Sequence, residues 1–399
     1  FRSGTNVTSP NQKTSFAVLL NSNGDAEKCI RTDRSDLGGP PQVFTWTNTF
    51  DSLGRCVRTV DNVGNTNRYF YDSLSRFVKV IDPKGFASFF EYDLLDRQTI
   101  AVTDLNNDGL ADSVNDITSS KVWSSTSGRL LASIDSHGNT TSYSYDSLGR
   151  TTSITNADNT RFSLVWSPRS NLISETDANG TVITHTYDAN GRCVSNNITP
   201  GAGVATATTF ETFSYDGSSR LIAAVNDVST CAFAYDSLGN CVSESRNGLA
   251  TTSTYDALGN RLSLIYPGGR SLTYAYNSLN LCTNIAESSV SLASFDYDSP
   301  DRLARISYGN GMRTRINYGG LVGAQNAPDD FGHGQVSRVL HAMSGGSPLV
   351  SEIKLAWDRN GNKTRRDDAI FAPAIPRTNS LALTYDTADR LFRSIKLHG

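Results

Sequence analysis

The chain has 399 residues, 38% of them hydrophobic and 19% charged, with 32 Gly and a net charge of −3. That balance argues against a nucleic-acid partner, which wants a basic face, and no apolar run approaches the roughly 18 residues that span a bilayer. Length alone suggests about two or three domains, but a phrase repeated almost from end to end predicts a single array over 1–399 instead.

The phrase is six letters long. It reads FDSLGR at 50–55, YDSLSR at 71–76, YDSLGR at 145–150, YDANGR at 187–192, YDSLGN at 235–240 and YDALGN at 255–260. Its acidic position marks each unit: Asp51, Asp72, Asp93, Asp146, Asp188, Asp216, Asp236, Asp256, Asp298, Asp358 and Asp386, with Asn21, Ser125, Ser167 and Asn277 as relaxed matches. From Asn21 to Asp298 the steps are 30, 21, 21, 32, 21, 21, 21, 28, 20, 20, 21 and 21. The base period is 20 to 22 residues, and the longer steps read as one unit plus an insertion. Recognisable repeats cover about 21–318 and 351–393; between them, 319–350 is an irregular insertion or a degenerate repeat.

Each unit has the same grammar. Gly or another turn-former stands three residues past the marker (Gly54, Gly149, Gly191, Gly239) and often thirteen past it (Gly64, Gly138, Gly180, Gly269). A turn therefore recurs about every ten residues, where the backbone needs positive φ. Between turns the residues alternate, and pairs such as Tyr143 and Tyr145 or Phe233 and Tyr235 lie two apart, on one face of a strand. Thr, Ser, Val, Ile and Tyr suit strands. The expectation is an all-β chain of about fifteen hairpins, with the tyrosines before the marker (Tyr145, Tyr187, Tyr215, Tyr235, Tyr276) stacked from unit to unit. The Asp is expected to bind turn amides, and the following Arg to pair with an Asp of its own or an adjacent unit.

Along the chain, the first interruption with chemistry is TDLNNDGLADS at 103–113. Asp104, Asn106 and Asp108, then Gly109, the carbonyl of Leu110, and Asp112 match the first nine positions of a calcium loop. Hard oxygen ligands at alternate positions can wrap one ion, and Gly permits the bend. Asn115 stands where a calcium sensor carries a bidentate Glu, and Asp116 is the nearest carboxylate. The expectation is one structural Ca²⁺; the alternative is an Asx-rich loop without metal. Asp82-Pro83-Lys84-Gly85 is read as an ordinary second turn. The other insertions are 199–210 and 319–350, the longest irregular stretch.

Of six cysteines, Cys56, Cys193, Cys241 and Cys282 lie five residues past a marker, where other units place Leu, so they read as small apolar fillers. Cys231 and Cys241 flank one turn, and a disulfide across that hairpin is the minor alternative. There is no Cys-x-x-Cys, His-x-x-x-His, Gly-x-Ser-x-Gly or Gly-x-x-x-x-Gly-Lys. A carboxylate that recurs in every unit is architecture, so no catalytic residue and no enzymatic activity are expected.

Many copies of Tyr-Asp-x-x-Gly-Arg at this period resemble the YD-repeat, or Rhs-repeat, family, which includes toxin-complex shell proteins, Rhs toxins and the teneurin ectodomain. The resemblance covers about Asn21 to Asp386. It implies tandem β-hairpins forming one long spiralling sheet, a hollow shell or rod, which in toxin members encloses a polypeptide. The family's self-cleaving Asp-Pro-x-Gly-Leu site is not carried over, because Asp82-Pro83, followed by Lys84-Gly85, stands at the second turn of an ordinary repeat. Two functions follow. One is a secreted, non-enzymatic scaffold that encapsulates a polypeptide cargo. The other is a cell-surface or filament-forming adhesion protein, with neighbouring subunits or surface glycans as partners. The chain begins with Phe1 rather than Met and reads as a fragment, so the missing signal peptide decides nothing about an extracellular location.

Overall fold

The computed structural model describes residues 12–35, 42–112, 115–205, 208–299, 302–321, 326–371 and 377–397. Among them are 32 strands of one antiparallel sheet and no helix. Consecutive strands pair, from Gln12–Leu20 with Ala26–Ser35 to Arg377–Tyr385 with Leu391–Leu397. The all-β hairpin array expected from the period is the fold.

One unit shows why the phrase recurs. Asp146 N–H donates to Arg150 O and Gly149 N–H to Asp146 O, both at 3.0 Å, which closes the turn. Gly149 sits at φ +86°, where a side chain is disfavoured. Asp146 Oδ1 accepts the amides of Leu148 and Arg150, and its Oδ2 accepts Arg150 Nε at 2.7 Å. The Arg then reaches onward: its Nη1 donates to Ser167 O, the next unit's marker, at 2.7 Å. Arg192 and Arg220 likewise reach the carbonyls of Asp216 and Asp236.

The tyrosines join units differently from the expected stack. The hydroxyl of Tyr145 donates to Leu130 O, Tyr187 to Leu172 O, Tyr215 to Cys193 O and Tyr235 to Leu221 O, at 2.7–2.9 Å. Each thus caps a carbonyl of the preceding unit. The Arg of that preceding unit lies over the ring: Arg192 over Tyr215 and Arg220 over Tyr235, both 4.8 Å from the centroid. These guanidinium-on-ring contacts add a cation–π link between successive units. At each of these tyrosines the register slips by one residue, as where Tyr235 faces Cys241 after Ala234 faces Ser243. That bulge sets the fifth position past the marker opposite the ring, where Leu172, Leu221 and Leu391 stand.

Two smaller expectations change. All six cysteines are free; Cys231 faces Arg246 and Cys241 faces Tyr235, so the register separates the two thiols. The unit read as starting at Ser125 starts at Ser124, whose N–H donates to Arg129 O around a turn one residue longer.

The chain divides into two compact units. One runs to Glu91 and takes in Ala101–Ile117 and the residues described from Tyr274 onward; the other holds Tyr92–Ile100 and Thr118–Thr273. In the second unit the face opposite the tyrosines is almost without charge. Its paired positions run Ala132–Ser142, Ser153–Ser163, Ser174–Thr184, Ser195–Thr212, Ala223–Ala232, Ser243–Thr252 and Ser263–Thr273. Arg161 is the charged exception among the paired residues of that face between Ser120 and Thr273. In the first unit the same face carries Arg58, Arg68 and Lys79, and later Asp296, Arg305, Arg313, Arg315, Arg338, Glu352, Lys354, Arg365 and Asp367.

Candidate functional site: a buried polar latch and its cleft

The chemically dense part of the first unit forms where the irregular stretch meets the early hairpins. Within 319–350 the irregularity is confined to 319–335, because Val336–Met343 and Leu349–Trp357 are ordinary paired strands. Tyr318, Val336 and Trp357 keep the unit's logic. Tyr318 slips register onto Val336, and Trp357 Nε1 donates to Val336 O at 2.8 Å. A turn has swollen into a loop, and its marker Asp has become Gly319.

Internal polar bonds shape that loop. Asn326 Oδ1 accepts Gly320 N–H at 2.7 Å, and its Nδ2 donates to the carbonyls of Asp330 and Gly332 at 3.0 and 2.9 Å. Buried Asp330 accepts the amides of Gly332 and Trp357 at 3.0 and 3.1 Å, and burial raises its pKa above the usual carboxylate value. Gly320 has φ +78°, and a Cβ there would meet His333 Cα at 2.7 Å and Gly332 O at 2.8 Å, so only Gly fits.

The loop then grips residues some 260–270 positions away in sequence. Asn62 Nδ2 donates to Gly320 O at 2.6 Å, Asn65 Nδ2 donates to Phe331 O at 2.8 Å, and Asn62 Oδ1 lies 3.0 Å from His333 Nε2. His333 Nδ1 is 3.6 Å from Asp61 Oδ2, and both side chains are nine-tenths or more buried. Burial lowers the His333 pKa; Asp61 opposes that shift and Arg302 adds to it. His333 packs edge-on against Trp46 and Phe44, with centroids at 4.5 and 5.6 Å. Arg302 lies 3.9 Å over the fully buried Phe44 ring and donates to buried Asp298 at 3.1 Å.

Beside the latch lies a cleft of 580 Å³, lined in part by Trp46, Asp61, Asn65, Phe331, His333 and Asn360. The buried side-chain oxygens Asn65 Oδ1 and Asn360 Oδ1 have no hydrogen-bond partner among the described residues. At its rim Lys84 Nζ binds Asp358 at 2.8 Å and Asp389 at 2.6 Å, and Asp82 caps its own turn by accepting the amides of Lys84 and Phe86. The cleft is rich in acceptors and suits a ligand that brings hydrogen-bond donors. Sequence reasoning singled out the irregular stretch 319–350 but not its partners Asp61, Asn62 and Asn65, because these residues form no motif along the chain.

The predicted calcium ligands lie in one loop of the same unit. Asp104 is fully buried, and its two carboxylate oxygens accept the amides of Asn107 and Gly109 at 2.6 and 2.9 Å. Asp108 accepts Leu110 N–H at 2.8 Å and the Asn106 side chain at 2.9 Å, and Asp112 accepts Asn115 N–H at 2.7 Å. Asp116 ties the loop shut by accepting the amides of Leu105 and Asp112. Among the described residues, no three His, Cys, Asp or Glu side chains are arranged as a metal cluster.

Fold and unit together define a class: a β-hairpin array in which marker turns are closed by Asp with Arg or Asn, and Tyr joins one unit to the preceding one. The family model described as RHS Repeat matches residues 125–161, 166–205 and 235–271. Among solved structures, the chain is similar to a Photorhabdus luminescens Tc holotoxin pore. The TM-score is 0.64 at 14% identity, over 93% of this chain and 24% of that one. It is also similar to TcdB2-TccC3, with a TM-score of 0.65 at 13% identity, over 96% of this chain and 25% of that one. The chain thus spans about a quarter of the length of these structures. No curated protein matches it.

Proposed function

We propose that this chain is a wall segment of a secreted, non-enzymatic β-shell that encloses a polypeptide cargo. The observation that carries the reading is the face of the second unit that is neutral but for Arg161, with Ala, Ser or Thr paired at one register position of each hairpin from Ala132 to Thr273. Such a surface offers few charges to pair. It suits a wall that holds an unfolded chain without binding it. The likeness of fold to structures titled TcdB2-TccC3 supports the same reading. The test uses the full-length protein that contains this segment. Limited proteolysis is expected to spare the sequence beyond Gly399 while the shell is folded, and to degrade it once denaturant opens the sheet. Equal cutting under both conditions would count against a container.

A second reading is a cell-surface or filament-forming adhesion protein that binds glycans, and the acceptor-rich cleft favours it. Sugar hydroxyls would donate to the polar lining, which includes Asp61, Asp82 and Asn65, beside the aromatic rings of Trp46 and Phe331. Binding to a panel of neutral oligosaccharides, lost in Asn65→Ala, would support it; a silent panel would sink it. Calcium at Asp104, Asn106, Asp108, Leu110 and Asp112 is proposed with either reading. The ion would take over carboxylate oxygens that now accept loop amides, and in doing so stiffen the loop.

A further inference from the structure

We infer that the first unit carries an oxyanion site formed by Arg305, Arg313 and Arg315, taking a phosphate or sulfate group. Arg305 on strand Arg302–Tyr308 stands directly opposite Arg315 on strand Met312–Tyr318, and Arg313 stands two residues along on the same face. Opposed residues of an antiparallel pair hold their Cβ atoms roughly 5 Å apart, and like charges there are destabilising. Arg305 is held by Asp296 at 2.7 Å. Arg313 and Arg315 are exposed and have no ion partner among the described residues. All three line one 330 Å³ recess, walled by Leu340 and Met343.

The repeat itself shows that this charge is not architectural. One repeat earlier Arg305 and Arg315 correspond to Asn284 and Ser294, and two repeats earlier Arg305, Arg313 and Arg315 correspond to Ser263, Ser271 and Thr273. Hairpins of the second unit fill the Arg305–Arg315 pairing with Ser, Thr or Ala and fold in the same register. The unit does not need Arg here, and the repulsion opposes the sheet. A bound dianion relieves that repulsion, and guanidinium forks match phosphate and sulfate oxygens two at a time.

The test replaces the arginines with what the repeat carries elsewhere: Arg313→Ser together with Arg315→Thr. At low ionic strength, calorimetry with inorganic pyrophosphate is expected to show binding to the parent chain and at least a tenfold loss in the double variant. Without anion the double variant should melt at a higher temperature than the parent, and pyrophosphate should raise the melting temperature of the parent alone. A sulfated heparin disaccharide run beside pyrophosphate separates the two sources: the tighter ligand names the ester that the site reads. Arg393→Ala, which removes a basic residue outside the recess, should bind as the parent does. The inference is overturned if the parent binds neither probe, or if the double variant binds them as tightly as the parent.

Discussion

The two units are built from one repeat and spend their side chains differently. In the second unit a single turn design recurs: Asp146, Asp188 and Asp216 each clamp an Arg four residues on, and the open face is neutral but for Arg161. In the first, the same strands carry opposed charges, a swollen turn, and a buried polar cluster joining Asp61, Asn62 and His333. The regular unit is held by many small, equivalent contacts. The irregular one depends on a few contacts between residues far apart in sequence. The lesson is that a repeat sets the sheet, and departures from it make the places where chemistry can reside.

The largest expected effect separates the two directly. Gly320→Ala forces a side chain onto left-handed backbone and into Gly332 O and His333. It should cost about 4 kcal/mol by chemical denaturation, from strain plus overpacking. Gly239→Ala, at φ +91° with nothing within 4 Å of the added Cβ, should cost only about 1 kcal/mol. Equal losses would mean that the loop is not a latch.

Next comes the tyrosine clamp. Tyr235→Ala should cost roughly 2–4 kcal/mol, in line with large-to-small core changes. Tyr235→Phe, which removes only the bond to Leu221 O, should cost about 1 kcal/mol. A melting temperature unchanged by Tyr235→Ala would break the account of how units join.

Acid should distinguish the units by range. The folded-state pKa of His333 is lowered by burial, so the unfolded chain binds the extra proton first. Its stability contribution is present above the unfolded value of about 6.5 and is lost as pH falls through that value towards the folded one. His333→Asn should flatten this dependence. The Asp146 pKa is lowered by the side-chain and backbone hydrogen bonds from Arg150, with burial opposing. Its contribution is present above the ordinary carboxylate pKa and fades only as pH falls below it. A stability curve from pH 7 to 5 that is identical in the parent and His333→Asn would remove His333 from the latch.

The last expected effect is that of calcium, which depends on its concentration. Protease cutting between Thr103 and Asp116 should slow with calcium and recover with chelator, and Asp108→Ala should behave like the chelated chain. At a hundred times the dissociation constant the ion adds roughly 2.7 kcal/mol to the state that binds it. Cutting that ignores calcium would leave the Asx loop as it stands.

The sequence by itself determined the hairpins, their period, the positions of the turns and the pairing of Asp with Arg. All of these are local: a turn closes within five residues, and Gly149 or Asp146 acts on its immediate neighbours. Side-chain alternation also separated the two faces, because a strand has a period of two. Tertiary structure decided what the aromatic rings touch, since the carbonyl that Tyr235 caps lies 14 residues back, across a bulge that no letter announces. It also decided that 319–335 is a swollen turn, a relation hidden once the marker had become Gly319. The latch lay furthest from view. Asn62 and Gly320 are 258 residues apart, and only the path of the sheet brings that amide to that carbonyl.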